Sequence, residues 1–533
     1  MQLKHIKTNV PGLEVEEQRS DGSASPQDAY DSELCISPLS QFFCNAGEQS
    51  PDIIAVVQLQ GHLTFEKAVP VMQHLSELHD RFRRRVVFKN GAWLGEYLQD
   101  FNVRSLCQEV TLDGPDAQAA FDEYMSKRMS GEPLGNNGLP PWDGVLIHYS
   151  ADPTRSDIVL RMSHMIADGH LILKLLRQIT VPQDSVAQAD YAAVVLGGAS
   201  PVSGGGAGEQ QQQQRMWLLR AVFFLAGLVM AGFRWLGGCW SGFTALLYST
   251  GNIFYSDPVN AVKAAPEECW GKRKIASRTL PLDDFKATAK QLGVTINTLA
   301  VSCVGGGVRR YLQAQQQAVP KSVRMLVTVD TRALKSAPAG SGKDSMSRVP
   351  ANCFTYIAVP VCTGDISPVE RLGRVDRAID WIRHSPALML AVVMPVVTKC
   401  IYRDIKKAGA AMIRLLPAKA TLCFSNVRGL QGSWTFGGVP VSRIYNAVQP
   451  SAMGCVISLL SYGDVITFAH TCYASKTSTP GVLLDCIAQE YAALREAASL
   501  KLCKAGENTD AQAGSSIKHQ KEPAGCNTAE DQA

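Results

Sequence analysis

Asp157–Lys174, DIVLRMSHMIADGHLILK, is the stretch whose reading decides the fold. Ile158, Val159 and Leu160 form a strand-like apolar run, and His164 follows just past it. The pair Asp168-Gly169 then opens a second apolar run, in which Leu171, Ile172, Leu175 and Leu176 recur at helical spacing. A strand fixes the ring of a His at its end, while the following loop leaves one nitrogen free for a substrate. Strand, His, turn and helix in that order therefore suit a catalytic base. The same residues also suit a plainer arrangement, a strand-end His with its hydrogen bonds satisfied, followed by an Asp-Gly turn. The elements around the stretch separate the two.

The chain has 533 residues, 46% hydrophobic and 19% charged, with a net charge of +4. That length leads us to expect several domains with sizeable cores. The charge is too small to argue for nucleic acid, and no basic-aromatic motif for base stacking appears. The fifteen cysteines are scattered singly, with no C-x-x-C pair and no His cluster at zinc spacing. Cys303, Cys353, Cys423 and Cys455 sit in apolar runs, which points to reduced, packing cysteines facing the cytosol. Met1 to Pro26 is polar and lacks an apolar core, so no signal peptide is expected there.

Taken in order, residues 1–33 are rich in Ser, Asp, Glu and Gln and are expected to be disordered. Ile53–Leu59 reads as a buried strand, Leu63–Phe82 as an amphipathic helix, and Val86–Tyr97 as a hairpin across Asn90-Gly91. Val145–Tyr149 and Ile158–Met162 are further strands, the second delivering His164. Residues 197–215 have the composition of a flexible linker. They lead into 216–248, the most lipophilic stretch, where Ala221–Phe233 runs for thirteen residues without a charge between Arg220 and Arg234. Thirteen is short of the roughly twenty needed to span hydrocarbon. Trp217, Trp235 and Trp240 suit a headgroup layer, and the whole run could span if the arginines snorkel. A buried core helix is the competing reading; we expect membrane contact. Beyond it, Pro281–Leu292 and Thr295–Leu312 read as helices. The run Gly305-Gly306-Gly307 in the second lacks the Lys-Ser/Thr of a phosphate loop and is expected to admit a close-packed neighbour. Met325–Val329, Phe354–Val361, Ala418–Val427, Cys455–Ser461 and Val465–Ala469 read as strands, and Val482–Leu500 as a closing helix.

The order of motifs resembles the wax ester synthase/diacylglycerol acyltransferase family. Leu139-Pro140-Pro141-Trp142 stands where the family has Pro-Leu-Trp. Ser163-His164-Met165-Ile166-Ala167-Asp168-Gly169 stands for its His-His-x3-Asp-Gly, and Val294-Thr295-Ile296-Asn297-Thr298 for its Asn-Asp element. Val327–Arg332, Asn352-Cys353-Phe354 and Ser425-Asn426-Val427-Arg428-Gly429 complete a series of six in register. The likeness runs from about Ser37 to Ala498 and is poor between 180 and 270. Ser163, Pro141 and Thr298 depart from the pattern; the second His of the pair, His164, is retained.

What the resemblance implies is an α/β (α+β) fold of two chloramphenicol-acetyltransferase-like halves, with an active-site tunnel between them and a lipophilic helical insertion. The halves are expected at 34–196 and 270–500, followed by a disordered tail at 501–533. The implied reaction moves an acyl group from acyl-CoA, a substrate rather than a cofactor, to a fatty alcohol or diacylglycerol. His164 would be the general base. Asp168 and Gly169 would be structural, Asp168 pairing with Arg332 of the second half, and Trp142, Asn297 and Asn352 would contact substrate. No cofactor, metal or nucleic acid is expected. The expected partners are the substrates and a membrane lipid surface, at the endoplasmic reticulum or another membrane, or a lipid droplet, with the site facing the cytosol. An acyltransferase for a non-lipid alcohol or amine and a catalytically idle lipid-binding protein on the same fold remain alternatives at this point.

Overall fold

The computed structural model describes residues 34–35, 40, 43–44, 50–89, 92–135, 137–195, 240, 243–249, 251–252, 254–332, 352–393, 407, 419–477 and 479–518, of which 502–518 as helix backbone alone. The expectations for 1–33, the linker 197–215, most of 216–248 and the end of the tail at 519–533 lie outside these residues; over 501–518, expected as disordered tail, the closing helix continues instead.

The first part of the chain runs β1 (Leu34–Cys35), β2 (Asp52–Gln60), α1 (Phe65–Leu78), β3 (Arg84–Lys89), β4 (Ala92–Tyr97), β5 (Cys107–Leu112), α2 (Ala117–Met129), β6 (Trp142–Tyr149), β7 (Arg155–Ser163), α3 (Gly169–Ile179), β8 (Val181–Pro182) and α4 (Ser185–Val195). The second part runs β9 (Arg273–Pro281), α5 (Leu282–Leu292), α6 (Ile296–Ala314), β10 (Ser322–Asp330), β11 (Phe354–Cys362), α7 (Pro368–His384), β12 (Leu422–Val427), β13 (Trp434–Phe436), β14 (Val439–Val448), β15 (Cys455–Tyr462), β16 (Val465–Tyr473) and α8 (Gly481–Lys518).

Two large mixed sheets result. One has the order β5-β6-β7-β2-β14-β13-β8, the other β11-β10-β12-β15-β16-β9, and β1-β4-β3 form a small third sheet. β2 explains its own sequence. It lies inside the first sheet with both faces covered, so Ile53, Ala55, Val57 and Leu59 enter one core while Ile54 and Val56 enter another against Phe121 and Met125 of α2. A strand buried on both faces reads as continuous apolar sequence rather than alternation. The helix-covered side of the second sheet makes a third core with α5, α6, α7 and α8. Its opposite side, through Leu326, Ala358, Cys423 and Val456, shares the core of the first sheet. The two sheets thus meet face to face where their strands carry the site.

β14 ties them together. Although it belongs to the later part of the chain, it pairs antiparallel with β2 from Val448↔Ile53 to Val441↔Leu59. The region expected as one half, 270–500, therefore contributes to both sheets. β14 was not legible as a strand because a bulge between Val441 and Arg443 breaks its alternation, and Pro440 stands near its start.

The three-glycine run is explained by packing. A Cβ at Gly305 would meet Val361, one at Gly306 would run into the Glu490 carboxyl, and one at Gly307 would lie 2.9 Å from the Ile487 backbone. Glu490, buried on α8, is held there by Arg371 and by Arg310 at 2.9 Å. Thr295 caps α6 by accepting from the Thr298 N–H (3.1 Å), as its position suggests. Cys303, Cys353, Cys423 and Cys455 are buried, and none of the described cysteines is in a disulfide. Among the described residues no single helix is long and apolar enough to cross a membrane. The bent pair Leu282–Leu292 and Ile296–Ala314 passes on length and composition, and most of its apolar residues lie in the third core.

Candidate active site

His164 leaves the end of β7 and is held from all sides. Its backbone N–H donates to the Pro51 carbonyl (3.2 Å), and that of Ser163 to the Pro141 carbonyl (2.9 Å). Phe43 stacks on the imidazole at 4.8 Å between centroids, and Phe354 lies at 5.5 Å. Asn352 holds the third side, with its Oδ1 3.3 Å from His164 Nδ1, while its Nδ2 donates to the His164 carbonyl and to Ser40 Oγ (2.7 Å).

These bonds determine the tautomer. A carbonyl only accepts, so the end of the Asn352 amide that meets the His164 carbonyl is its NH₂, and the end that meets the ring is its oxygen. In the neutral ring this places the proton on Nδ1 and makes Nε2 the basic nitrogen. Burial pushes the ring below the usual imidazole value of 6.5; Asn352, the Asp168 carboxylate and the Ala167 backbone pull it partly back. The neutral form is the one burial favours. Asn352 adopts φ +55°, in the left-handed region where Asn is among the better-tolerated residues.

Asp168 does structural work on three elements. One oxygen accepts from the Leu171 N–H (2.9 Å) and caps α3, the other from the Cys353 N–H (3.0 Å) at the start of β11, and Arg332 Nη2 donates to both (2.9 and 2.7 Å). The expected Asp168–Arg332 pair is therefore present and joins the His164 loop to the end of β10. Arg332 also bonds Asp330 through Nη1 (3.1 Å), and Asp330 faces His170 at 3.4 Å. Gly169 has no positive φ. Its role is close approach, since a Cβ there would lie 3.1 Å from a Val427 methyl of the second sheet.

A cavity of about 120 Å³ opens beside His164, lined from both sheets, with Thr328, Ser425, Asn426 and Asn446 as its neutral polar walls and Ile53, Tyr356 and Val456 among its apolar ones. Two expected substrate contacts lie elsewhere. Trp142 is fully buried in the first core, its indole N–H donating to the Phe82 carbonyl (2.8 Å) and its ring edge-on to Phe82. Asn297, at the start of α6, accepts from Asn426 Nδ2 (3.2 Å) and lines a neighbouring cavity, so Asn426 stands between it and His164's. Asn352 is brought to the site, but as a partner of His164. Asn426 sits within the Ser425–Gly429 landmark, which was signal enough to find it. Phe43 and Asn446 carried none. Among the described residues no group of three His, Cys, Asp or Glu side chains is placed to hold a metal ion.

A two-sheet fold with a strand-end His and a structural Asp four residues on defines an acyltransferase of the His-x3-Asp-Gly class. The chain belongs to the wax ester synthase/diacylglycerol acyltransferase family: the model of that catalytic domain matches residues 53–300 and that of the family's C-terminal domain residues 351–495. Members of the family use acyl-CoA to make wax esters and triacylglycerols, and this chain is an O-acyltransferase of that kind. It is 23% identical to wax ester synthase/diacylglycerol acyltransferase 7 of Arabidopsis thaliana, over 90% of this chain and 99% of that one. With number 11 of the same plant it shares 22%, over 84% and 91%. Its fold is similar to that of the wax ester synthase/diacylglycerol acyltransferase from Marinobacter aquaeolei VT8, with TM-score 0.54, 15% identity and coverage of 87% and 100%. It is also similar to the first condensation domain of the CDA synthetase, with TM-score 0.52, 12% identity and coverage of 87% and 97%.

Proposed function

We propose that His164 is the general base in the transfer of the acyl group of a fatty acyl-CoA to the hydroxyl of a long-chain alcohol or of diacylglycerol. The observation that carries this is a buried imidazole, held through Nδ1 by Asn352, beside a cavity lined from both sheets. In the reaction, Nε2 takes the hydroxyl proton as the oxygen bonds to the thioester carbon. The tetrahedral oxyanion collapses, the carbon–sulfur bond breaks, and the imidazolium returns the proton to the CoA thiolate. Base catalysis of this kind contributes roughly 10²–10⁴-fold. Ser425, Asn426 and Thr328 are the neutral polar side chains placed to donate to the oxyanion. Asp168, Gly169 and Arg332 hold the two sheets in register around the base.

In this reading the regions 34–196 and 270–500 are the two halves, the cavity is part of a tunnel between them, and the site faces the cytosol at a membrane or lipid droplet. Exposed apolar side chains support the lipid surface: Trp240, Phe243, Leu246 and Leu247 at the described end of the lipophilic stretch, and Phe254 just after it. Water-soluble acceptors give no reason for such a face.

The pH profile tests the base. A general base works only when neutral, so kcat/KM falls as pH drops through its pKa and is level above it. Because burial lowers that pKa, the acid limb is expected to have its midpoint below pH 6.5, with a plateau from there upward. A midpoint above 6.5 for ester formation would show that another group, or a charged imidazole, controls the rate.

A further inference from the structure

The cavity beside His164, at about 120 Å³, is smaller than the roughly 300–1,000 Å³ typical of small-molecule sites. It has room for a reacting head and not for a long chain. A second cavity of about 320 Å³ adjoins it, and the two share Thr328, Asp330 and Asn426 as walls. Strand alternation puts them on opposite faces of the second sheet, and they meet where the β10–β12 ladder has ended, past Val327↔Phe424. Thr328 and Asp330 of β10 turn toward His164, while Val327 and Val329 turn to the helical side, where Ile357 and Val359 of β11 and Ile379 and Ile382 of α7 complete the second space. Its charged lining residues are Asp330, shared with the His164 cavity, and Arg383 of α7; Asn297, Thr328 and Asn426 are neutral and polar, and the rest of the lining is apolar.

We propose that this space between β10–β11 and α7 receives the hydrocarbon tail of a long-chain substrate whose reacting end lies at His164. The proposal rests on the acyl-transfer reading above and adds where the chain goes. Burial of each methylene there strengthens binding by about fourfold, so the space gives the enzyme a preference for length that the His164 cavity alone lacks. Leu388 lines the space, Met389 and Val393 just after it in sequence are exposed, and Trp381 on α7 is packed edge-on by Tyr248 at 5.3 Å. Phe243, Leu246 and Leu247 are exposed on the same stretch as Tyr248, an apolar surface beside α7 from which a tail can enter.

Fatty acyl chain and fatty alcohol share this chemistry, and the test separates them. Leu388→Trp narrows the space, and Val329→Phe, made independently, narrows it from β10 should the first fail to fold. In one arm the acyl-CoA is varied from four to sixteen carbons with butanol as acceptor. In the other the alcohol is varied over the same lengths with butyryl-CoA as donor. We expect the long-to-short ratio of kcat/KM to fall about tenfold in the arm whose tail occupies the space; a fall below threefold in both arms, in a variant that melts like the wild type, overturns the proposal. Binding of tritiated hexadecanol and of palmitoyl-CoA to the His164→Ala protein gives a reading independent of turnover. Leu388→Trp or Val329→Phe added to it should weaken one of the two at least tenfold, and unchanged binding of both overturns the proposal. Absence of acyl transfer in the wild type would count against the His164 reading, and the tail space would then be judged on binding alone.

Discussion

Replacing His164 with Ala is expected to lower ester formation by about a hundredfold or more while the protein stays folded. The ring is buried, so the loss of packing with Phe43 and Phe354 has to be separated from the loss of a base. His164→Gln makes that separation, because it preserves much of the volume and keeps a polar group near Asn352 but has no basic nitrogen. Both variants should melt near the wild-type temperature and both should be inactive at the same level. Activity above a tenth of wild type in either one removes His164 from the mechanism. Asn352→Ala is the informative companion. Without the amide that fixes the Nδ1–H tautomer, turnover should fall at nearly unchanged KM, since Nε2 is then protonated part of the time.

The second large effect is on the scaffold. Asp168→Ala leaves the Leu171 and Cys353 N–H groups without an acceptor and Arg332 without its main counter-charge, in a place where the Asp side chain is almost wholly buried. Breaking a buried pair by removing one partner costs about 3–5 kcal/mol. Asp168→Ala should therefore unfold at clearly lower denaturant than wild type, and Arg332→Ala at a value in between, because the two backbone donors keep their acceptor in that variant. The double variant should lose less than the sum of the singles, the sign of a shared interaction in a double-mutant cycle. Additive losses in chemical denaturation would mean that Asp168 and Arg332 do not act as a pair.

The parts of the fold that could be read from the sequence are those where burial leaves an unbroken signature. β2 is covered on both faces and reads as a solid apolar run; β7 ends just before His164, where the chain turns to begin α3; the glycines of α6 make room for close-packed neighbours on β11 and α8 rather than for a phosphate. Asp168 and Arg332 lie far apart in the sequence and meet as the family resemblance implied. What stayed hidden depended on local irregularity or on which face a side chain takes. The bulge in β14 concealed the strand that joins the sheets and carries Asn446 into the cavity. Trp142 belongs to a landmark, yet its side of β6 faces the core, and Asn297 stops one residue short of the site because Asn426 stands in front of it. A motif gives residue identity along the chain; only the sheet register says which of two neighbours reaches the substrate.

The most direct measurement is a transfer assay on membranes of a host that lacks neutral lipid and expresses the full chain, supplied with acyl-labelled palmitoyl-CoA and either hexadecanol or diacylglycerol. The account predicts label in wax ester or triacylglycerol, one free CoA thiol released per ester formed, and neither in the His164→Ala protein. Thioester left intact with both acceptors, or label found only in free fatty acid, would contradict it.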